Sequence, residues 1–598
     1  MSINDLRISA NANFHKLAAT PTAEDVEALF KSLHCKFDKR TFPIHFEEIK
    51  QVHKGSTWSA IAFSYPRAAA VLPDSGMLEK LVGYVLLVEH KGHLAIFKSG
   101  LSLKPAFNSK YIQRLTHKTV QAALAAKGSV FEKIRVRNLS PSKAVLRSKM
   151  FEAHDIAAVV GAAGQSRYAP QSFSLVHDKK RYATTLSTAR IGQRLERQSH
   201  IEAIEWAAGM IDQLIAPPAE TAPFLNIFAE PVDLATVGVK PSTFIVSVPI
   251  LKDMLFDADP LEYRLVTRKD DDWVEVKRED AEALADKLDV PFKLASEPGG
   301  WALEKGAGNL KQSKTSLTLS DLPATRGYFV QALNAEPGDD EPVALRAFID
   351  REDLFMVIFE DPAVAWVSGA LFRDNAFGGA DQAILQYLKP WDVLKDAKDE
   401  KGNFKVGQTE FEPKSVFRIL VDKTVATDPT LVCDDLNDEW ADFIGIGQLG
   451  GLPLLTFYHA KHGELSLGAS PFHVAVSQGI KNLGRLSPPK EAIPSKVASW
   501  GGTYNNKKVQ TDIKRIVRGG TKDEVEKSYE AVRSAPETIK RVAIVTSSLS
   551  RQQVKDALDD IAEGGAPEPH VVQLYWLLSS FFSACAEAGV AGSVICEP

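Results

Sequence analysis

Residues 434–461 read DDLNDEWADFIGIGQLGGLPLLTFYHAK, with carboxylates at one end of an apolar ribbon, two glycines in the middle and His-Ala-Lys at the other end. Carboxylates are the hard oxygen ligands that Mg²⁺ and Mn²⁺ prefer, and an ammonium group beside such an ion can hold a water or offset charge on a phosphate. Cleaving a phosphodiester needs both: extra negative charge must be stabilised, and water must be made a nucleophile. The ribbon brings those groups to one place only if it folds back on itself. Pairing it about Gly450-Gly451 sets Asp442 opposite His459, Ile444 opposite Phe457 and Ile446 opposite Leu455. Directly opposed residues share a face, as do alternate residues of a strand, so Asp442, His459 and Lys461 then project to one side at the open end. A slip of one residue would reverse every side chain, so the arrangement stands or falls with the register.

Asp442 is the first metal-ligand candidate, with Glu439 or Asp435 as a second acid, and Lys461 is the candidate for positioning the attacking water. His459 admits three roles. A neutral imidazole suits Mn²⁺ or another softer ion better than Mg²⁺; a ring titrating near neutrality can accept the water's proton; or a histidine here marks a site that binds DNA without cutting it. The following helix, SPFHVAVSQGIKNL, adds Gln478 and Lys481. The basic stretch KKVQTDIKRIVR adds Lys507, Lys508, Lys514, Arg515 and Arg518 as contacts for a phosphate backbone, whose counterions such contacts release. Rival readings are weaker. GIGQLGG has the glycine spacing of a dinucleotide fingerprint, but a strand-like LLTFYHAK follows where that motif needs a helix, so the glycines read as a hairpin turn. His459 and His462 splay apart on a strand and turn rather than forming a zinc pair. Glu275-Val276-Lys277 follows the charged run DDD and reads as a solvated edge.

The elements that must position these residues belong to a long chain. At 598 residues it has room for several cores, and a composition 44% hydrophobic and 25% charged is that of a globular protein. A formal charge of −5 gives no global signature of nucleic-acid binding, so any such surface is a local patch; the span from Lys127 to Arg197 is markedly basic. Four cysteines without metal spacing fit a reducing, cytoplasmic setting, and the N-terminus lacks the order of a signal peptide. The most apolar run, VVQLYWLLSSFFSACAEAGV, carries Gln573, serines and Glu587 and reads as a buried helix, not a membrane span. Breaks at APPAETAP and KDAKDEKGNFKVGQ divide the chain into an α+β region with the basic span (1–218), an acidic α+β middle region (219–400) and a C-terminal region (401–598). In the last, VFRILVDK and TLVCDD read as strands, followed by EWADFIGI and LLTFYHAK. Ser470 and Pro471 read as N-cap and first residue of a helix. The strand RVAIVTSS, the helix SRQQVKDALDDI, the long apolar helix and the strand GSVIC complete the region. The pattern is α/β: a mixed α+β multidomain chain whose C-terminal sheet is covered on both faces.

An acid on one strand and His-Ala-Lys on the next resemble the site of PD-(D/E)XK restriction-endonuclease-like nucleases, where one strand carries a metal-binding Asp and the next an acid-x-Lys pair. Asp442 matches the first, and His459 stands where the acid of the pair is expected, before Lys461. Gln478 and Lys481 resemble the polar helix of some RecB-like members, with Asn482 where those often carry Tyr. The order of strands and helices is also similar to that fold. The resemblance implies a metal-dependent deoxyribonuclease using Mg²⁺ or Mn²⁺. A second resemblance rests on CDDLNDEWADFIGI, FYHAKHGELSLGASPFHVAVSQGIKNL, RVAIVTSSLS and QLYWLLSSFFSACAEAGV, with GYVLLVEHKGHLAIFKSGLS in the N-terminal half. These look like a sporadically distributed bacterial family found near phage-defence genes. It implies a cytoplasmic antiphage defence protein, either a DNA-cleaving enzyme or a non-catalytic DNA-binding or partner-recruiting component. RNA as substrate, a defence partner protein and a homo-oligomer stay open.

Overall fold

A computed structural model of the chain describes residues 2–68, 75–142, 146–160, 165–258, 261–333, 335–339, 341–374, 384–506, 509–563, 565 and 568–598, which are of mixed α+β structure. They fall into two units: residues 1–154, 167–222 and 229–374 in one, and 155–166, 223–228 and 375–598 in the other. Among the described residues, no helix is long and apolar enough to cross a membrane.

In the first unit, apolar alternation and local caps set the elements. Strands Leu78–His90 and His93–Ser99 pair as a hairpin with His90 opposite His93, turning at Lys91 and Gly92, both at positive φ. They belong to an eleven-stranded sheet. Thr22 caps the helix Ala23–His34 by accepting from the Asp25 amide, and Ser199 caps His200–Ile215 in the same way with Glu202. In the basic span, Lys133 pairs with Glu152 and Arg181 with Glu132. A nine-stranded, a four-stranded and a two-stranded sheet also belong to this unit.

The second unit contains, in chain order, β1 (Leu388–Pro390), α1 (Val416–Lys423), β2 (Thr430–Cys433), β3 (Phe443–Leu449), β4 (Leu452–Lys461), α2 (His473–Lys481), α3 (Ala492–Ser499), β5 (Thr503–Asn506), β6 (Val509–Lys514), β7 (Ile516–Arg518), α4 (Lys522–Ser534), β8 (Ile539–Ser550), α5 (Arg551–Ala562), α6 (Pro569–Glu587) and β9 (Ala591–Glu597). Seven strands form one sheet in the order β1-β9-β8-β4-β3-β2-β7. β2, β3 and β4 make an antiparallel meander, and β4, β8 and β9 run parallel. Ile444 pairs with Phe457 and Ile446 with Leu455, the register expected from the sequence; the ladder ends at Phe443–Tyr458, and beyond it the Asp442 amide donates to the Tyr458 carbonyl, one residue short of the expected partner His459. Gly450 and Gly451 take φ of 59° and 84°, the pair of positive values that a two-residue hairpin loop uses.

Alternation along these strands fills two cores. Val432, Ile444, Ile446, Leu455, Phe457 and Ile544 pack with residues of α2, α3, α4 and α6, while Leu431, Phe443, Tyr458, Ala543 and Val545 pack with Phe417 and Leu420 of α1. Helices therefore cover both faces of the sheet. Two local expectations change. VFRILVDK is helix α1, not a strand: Val416, Phe417, Ile419 and Leu420 are buried along one side, and Ser415 caps the helix by accepting from the Arg418 amide. Ser470 is not a side-chain cap, because Ser470–Phe472 is a 3₁₀ turn and α2 begins at His473.

Candidate metal centre

The loop from Asp434 to Asp442 joins β2 to β3 and is closed on itself by a carboxylate outside the proposed site. Asp434 is buried; its Oδ1 accepts from Trp500 Nε1 at 2.7 Å and lies 2.9 Å from Lys496 Nζ, while its Oδ2 accepts from the Trp440 amide at 2.7 Å. Lys496 also donates to the Asp438 carbonyl. With the loop so tied, Asp435, Glu439 and Asp442 each place a carboxylate oxygen within 4.8 Å of the others.

Asp442 is only 5% exposed, and its Oδ2 accepts from the Ala460 amide of β4 at 2.8 Å. Burial pushes its pKa up to about 8, against the pull of that amide and Lys401, and Asp435 and Glu439 push it further. Its carboxyl thus keeps a proton near neutrality until a cation repays ionisation. Burial likewise raises Glu439, helped by Asp435 and opposed by Lys481 and by Gln478, whose Nε2 donates to Glu439 Oε1 at 2.9 Å. Asp435 Oδ2 accepts from Lys401 Nζ at 2.5 Å and from Tyr504 OH at 2.8 Å.

The other residues expected here are placed as follows. Lys461 pairs with Glu400 at 2.7 Å, and Glu400 lies 3.8 Å from Lys401, so the ammonium bonded to the triad is that of Lys401. Lys401 sits in the polar stretch read as a domain break, where no spacing marks it as a site residue. His459 is 1% exposed and neither ring nitrogen has a hydrogen-bond partner. Burial, followed by the charge of Lys481, lowers its pKa to about 3, leaving a neutral ring that is a weak base. It is not among the acids that converge. Gln478 reaches the triad through Glu439, and Lys481 is exposed with its charge acting on both Glu439 and His459. Lys514 is exposed. Arg515 donates to the Cys433 and Asp435 carbonyls, and Arg518 to the Asp428 and Val421 carbonyls and the Thr424 hydroxyl, so both guanidiniums fasten β7 to its neighbours. Lys507 and Lys508 lie outside the described residues.

Three converging carboxylates are a donor set for a hard divalent cation, and this triad can hold one. No protein-family model, curated protein or solved structure matches the chain. The chemistry of the centre therefore rests on its own residues. An entering ion must compete with Lys401 for Asp435 and with a proton for Asp442. Lys401→Met is expected to lower the Mn²⁺ concentration that half-saturates the protein about tenfold, because it removes the competing charge. Calorimetry with Mn²⁺, or Tb³⁺ luminescence sensitised through Tyr504, reads this directly. An unchanged or higher midpoint would show that Lys401 does not compete.

Proposed function

We propose that the second unit is a divalent-metal-dependent phosphodiesterase that cleaves DNA, within a protein of antiphage defence. The observation that carries this reading is the convergence of Asp435, Glu439 and Asp442 beside Lys401 and Gln478 where β3 begins and β4 ends. The order α1-β2-β3-β4-α2, followed after α3, β5, β6, β7 and α4 by β8 parallel to β4, supports a restriction-endonuclease-like core. When bound, Mg²⁺ or Mn²⁺ supplies Lewis acidity and an activated water. The protein's own groups do the positioning. Asp435, Glu439 and ionised Asp442 offer oxygens; Gln478 fixes Glu439; Lys481, exposed near Glu439, meets the phosphate; and Lys401, displaced from Asp435, offsets its charge. His459, buried and neutral, adds no charge to the centre.

A divalent-ion screen on plasmid, linear DNA and RNA with the purified full chain tests this. Nicking or degradation of DNA with Mg²⁺ or Mn²⁺ is expected, with Glu439→Gln at least ~100-fold slower. Cleavage unchanged in Lys461→Ala would remove Lys461 from the mechanism and leave Lys401 as the ammonium of the site. A second reading, binding without hydrolysis, is favoured by the histidine at the acid position and by the Lys401–Asp435 pair. It requires salt-dependent DNA binding that survives chelation, with no cleavage by any ion; absence of DNA affinity at low salt counts against both readings.

A further inference from the structure

The basic span of the first unit forms part of one sheet face that the phosphodiesterase reading does not use. Residues 127–197 hold fourteen Lys and Arg against five Asp and Glu, in a chain whose formal charge is −5. Four adjacent strands of the eleven-stranded sheet carry the face: Val130–Asn138, Tyr168–His177, Lys180–Thr185 and Arg190–Gln193. Alternation sorts their side chains. Phe131, Ile134, Phe173, Leu175 and Ile191 are buried on one side, where Gln193 also accepts from Trp206 of the helix His200–Ile215. Lys133, Arg135, Arg181, Arg190 and Arg194 are exposed on the other.

That other side holds an open groove of about 590 Å³ whose lining contains no acid. Its floor is made of small residues: Ser172, Ser174, Ala183, Thr185 and Gly192. Arg190 and Arg194 stand at one margin; Lys133 and Arg135 stand at the other, three strand spacings away, or about 14 Å. The cations are available. Among the described residues, the side chains of Arg135 and Arg194 have no hydrogen bond or ion pair, and Arg190 gives only its Nε, to Asn11 at 3.0 Å. Lys133 and Arg181 hold Glu152 and Glu132 in surface pairs, which are weak and exchange readily for a phosphate. Among the described residues, no aromatic side chain of these four strands lies on this side.

We propose that this face binds the backbone of duplex DNA, one margin of cations meeting each strand while the hydroxyls of the floor donate to phosphate. Charge complementarity selects a polyanion, and the missing rings select a duplex. A single strand draws much of its affinity from bases stacked on aromatic side chains, whereas a duplex has stacked its bases already. Contacts of this kind position the nucleic acid without choosing its sequence. The face lies wholly within the first unit, so the inference does not depend on the metal centre.

The test is fluorescence anisotropy of the full chain with a labelled duplex of mixed sequence, its separate strands, and poly-glutamate as competitor. A chelator is present throughout so that no metal-dependent cleavage occurs. Duplex affinity is expected to fall with salt at a log–log slope of about −4, from five cations at about 0.9 each. Arg190→Ala with Arg194→Ala, and separately Lys133→Ala with Arg135→Ala, are each expected to weaken binding at least ~10-fold and to make the slope shallower by about two. Arg190→Lys with Arg194→Lys should keep most of the affinity, because the contact is one of charge. All four side chains are exposed, so unchanged melting temperatures are expected for the variants. The single strands and poly-glutamate should bind at least ~10-fold more weakly. Affinity unchanged in either alanine pair, or single strands or poly-glutamate bound as tightly as duplex, overturns the proposal. Metal-dependent cleavage with binding unchanged in both pairs would sink this inference and leave the phosphodiesterase reading standing; binding lost in the pairs, with no cleavage by any ion, would do the reverse.

Discussion

Asp442→Asn is expected to slow metal-dependent DNA cleavage by about 10³-fold or more, because it removes a charged oxygen from the triad. It is also expected to stabilise the protein kept free of metal. The two effects have one cause. Burial raises the folded-state pKa of Asp442 from its ordinary 3.8 to about 8. A carboxyl raised in the folded state contributes fully to stability below its unfolded pKa and loses that contribution as pH climbs through the folded one. The wild-type protein therefore loses stability between about pH 4 and pH 8 from this group, while asparagine never ionises and still accepts from the Ala460 amide. At pH 8 in chelator the variant should gain on the order of 5 kcal/mol over wild type, the pull of Lys401 being already contained in the raised pKa. Mn²⁺ should then raise the melting temperature of wild type, more so at higher pH, and leave the variant nearly unmoved. Equal stability of the two proteins in chelator at pH 8 would mean that Asp442 is already ionised and paired without an ion.

The hairpin was legible in the sequence because two local signals agree: adjacent glycines suit a turn at positive φ, and apolar alternation on either side permits one register. The acids were legible as a group for the same reason, being close along the chain. Asp434 and Asp435 show where that legibility ends. They are the same residue type and neighbours, yet Asp434 turns inward to Trp500 and Lys496 while Asp435 joins the triad. Their roles are set by partners more than sixty residues downstream. Lys401, 34 residues before Asp435, was unreadable for the same reason. Arg515 and Arg518 reverse the problem: charge is plain in sequence, but the carbonyls that engage these guanidiniums exist only once β7 has docked. VFRILVDK was misread because its β-branched and aromatic residues suit a strand, whereas burial on one side of a capped helix decides the outcome.

Lys496→Met is expected to destabilise the protein by about 3–5 kcal/mol, the usual consequence of leaving one member of a buried ion pair without its partner. Lys496 is buried against a fully buried Asp434, and its ammonium also lies 5.2 Å from the Trp440 ring and bonds to the Asp438 carbonyl. These contacts draw three parts of the Asp434–Asp442 loop to α3. Methionine retains much of the apolar stem and removes all of the charge, so Asp434 keeps only the Trp440 and Trp500 donors. The loop that spaces Asp435, Glu439 and Asp442 should then loosen, and the Mn²⁺ midpoint should rise with the loss of stability. Denaturant unfolding with and without Mn²⁺ separates the two effects. The double variant with Asp434→Asn should recover a large part of the stability, since no buried charge remains to be compensated. A single-variant cost below about 1 kcal/mol would show the pair to be an ordinary exposed one in energetic terms, and the loop would have to be held by its apolar contacts alone.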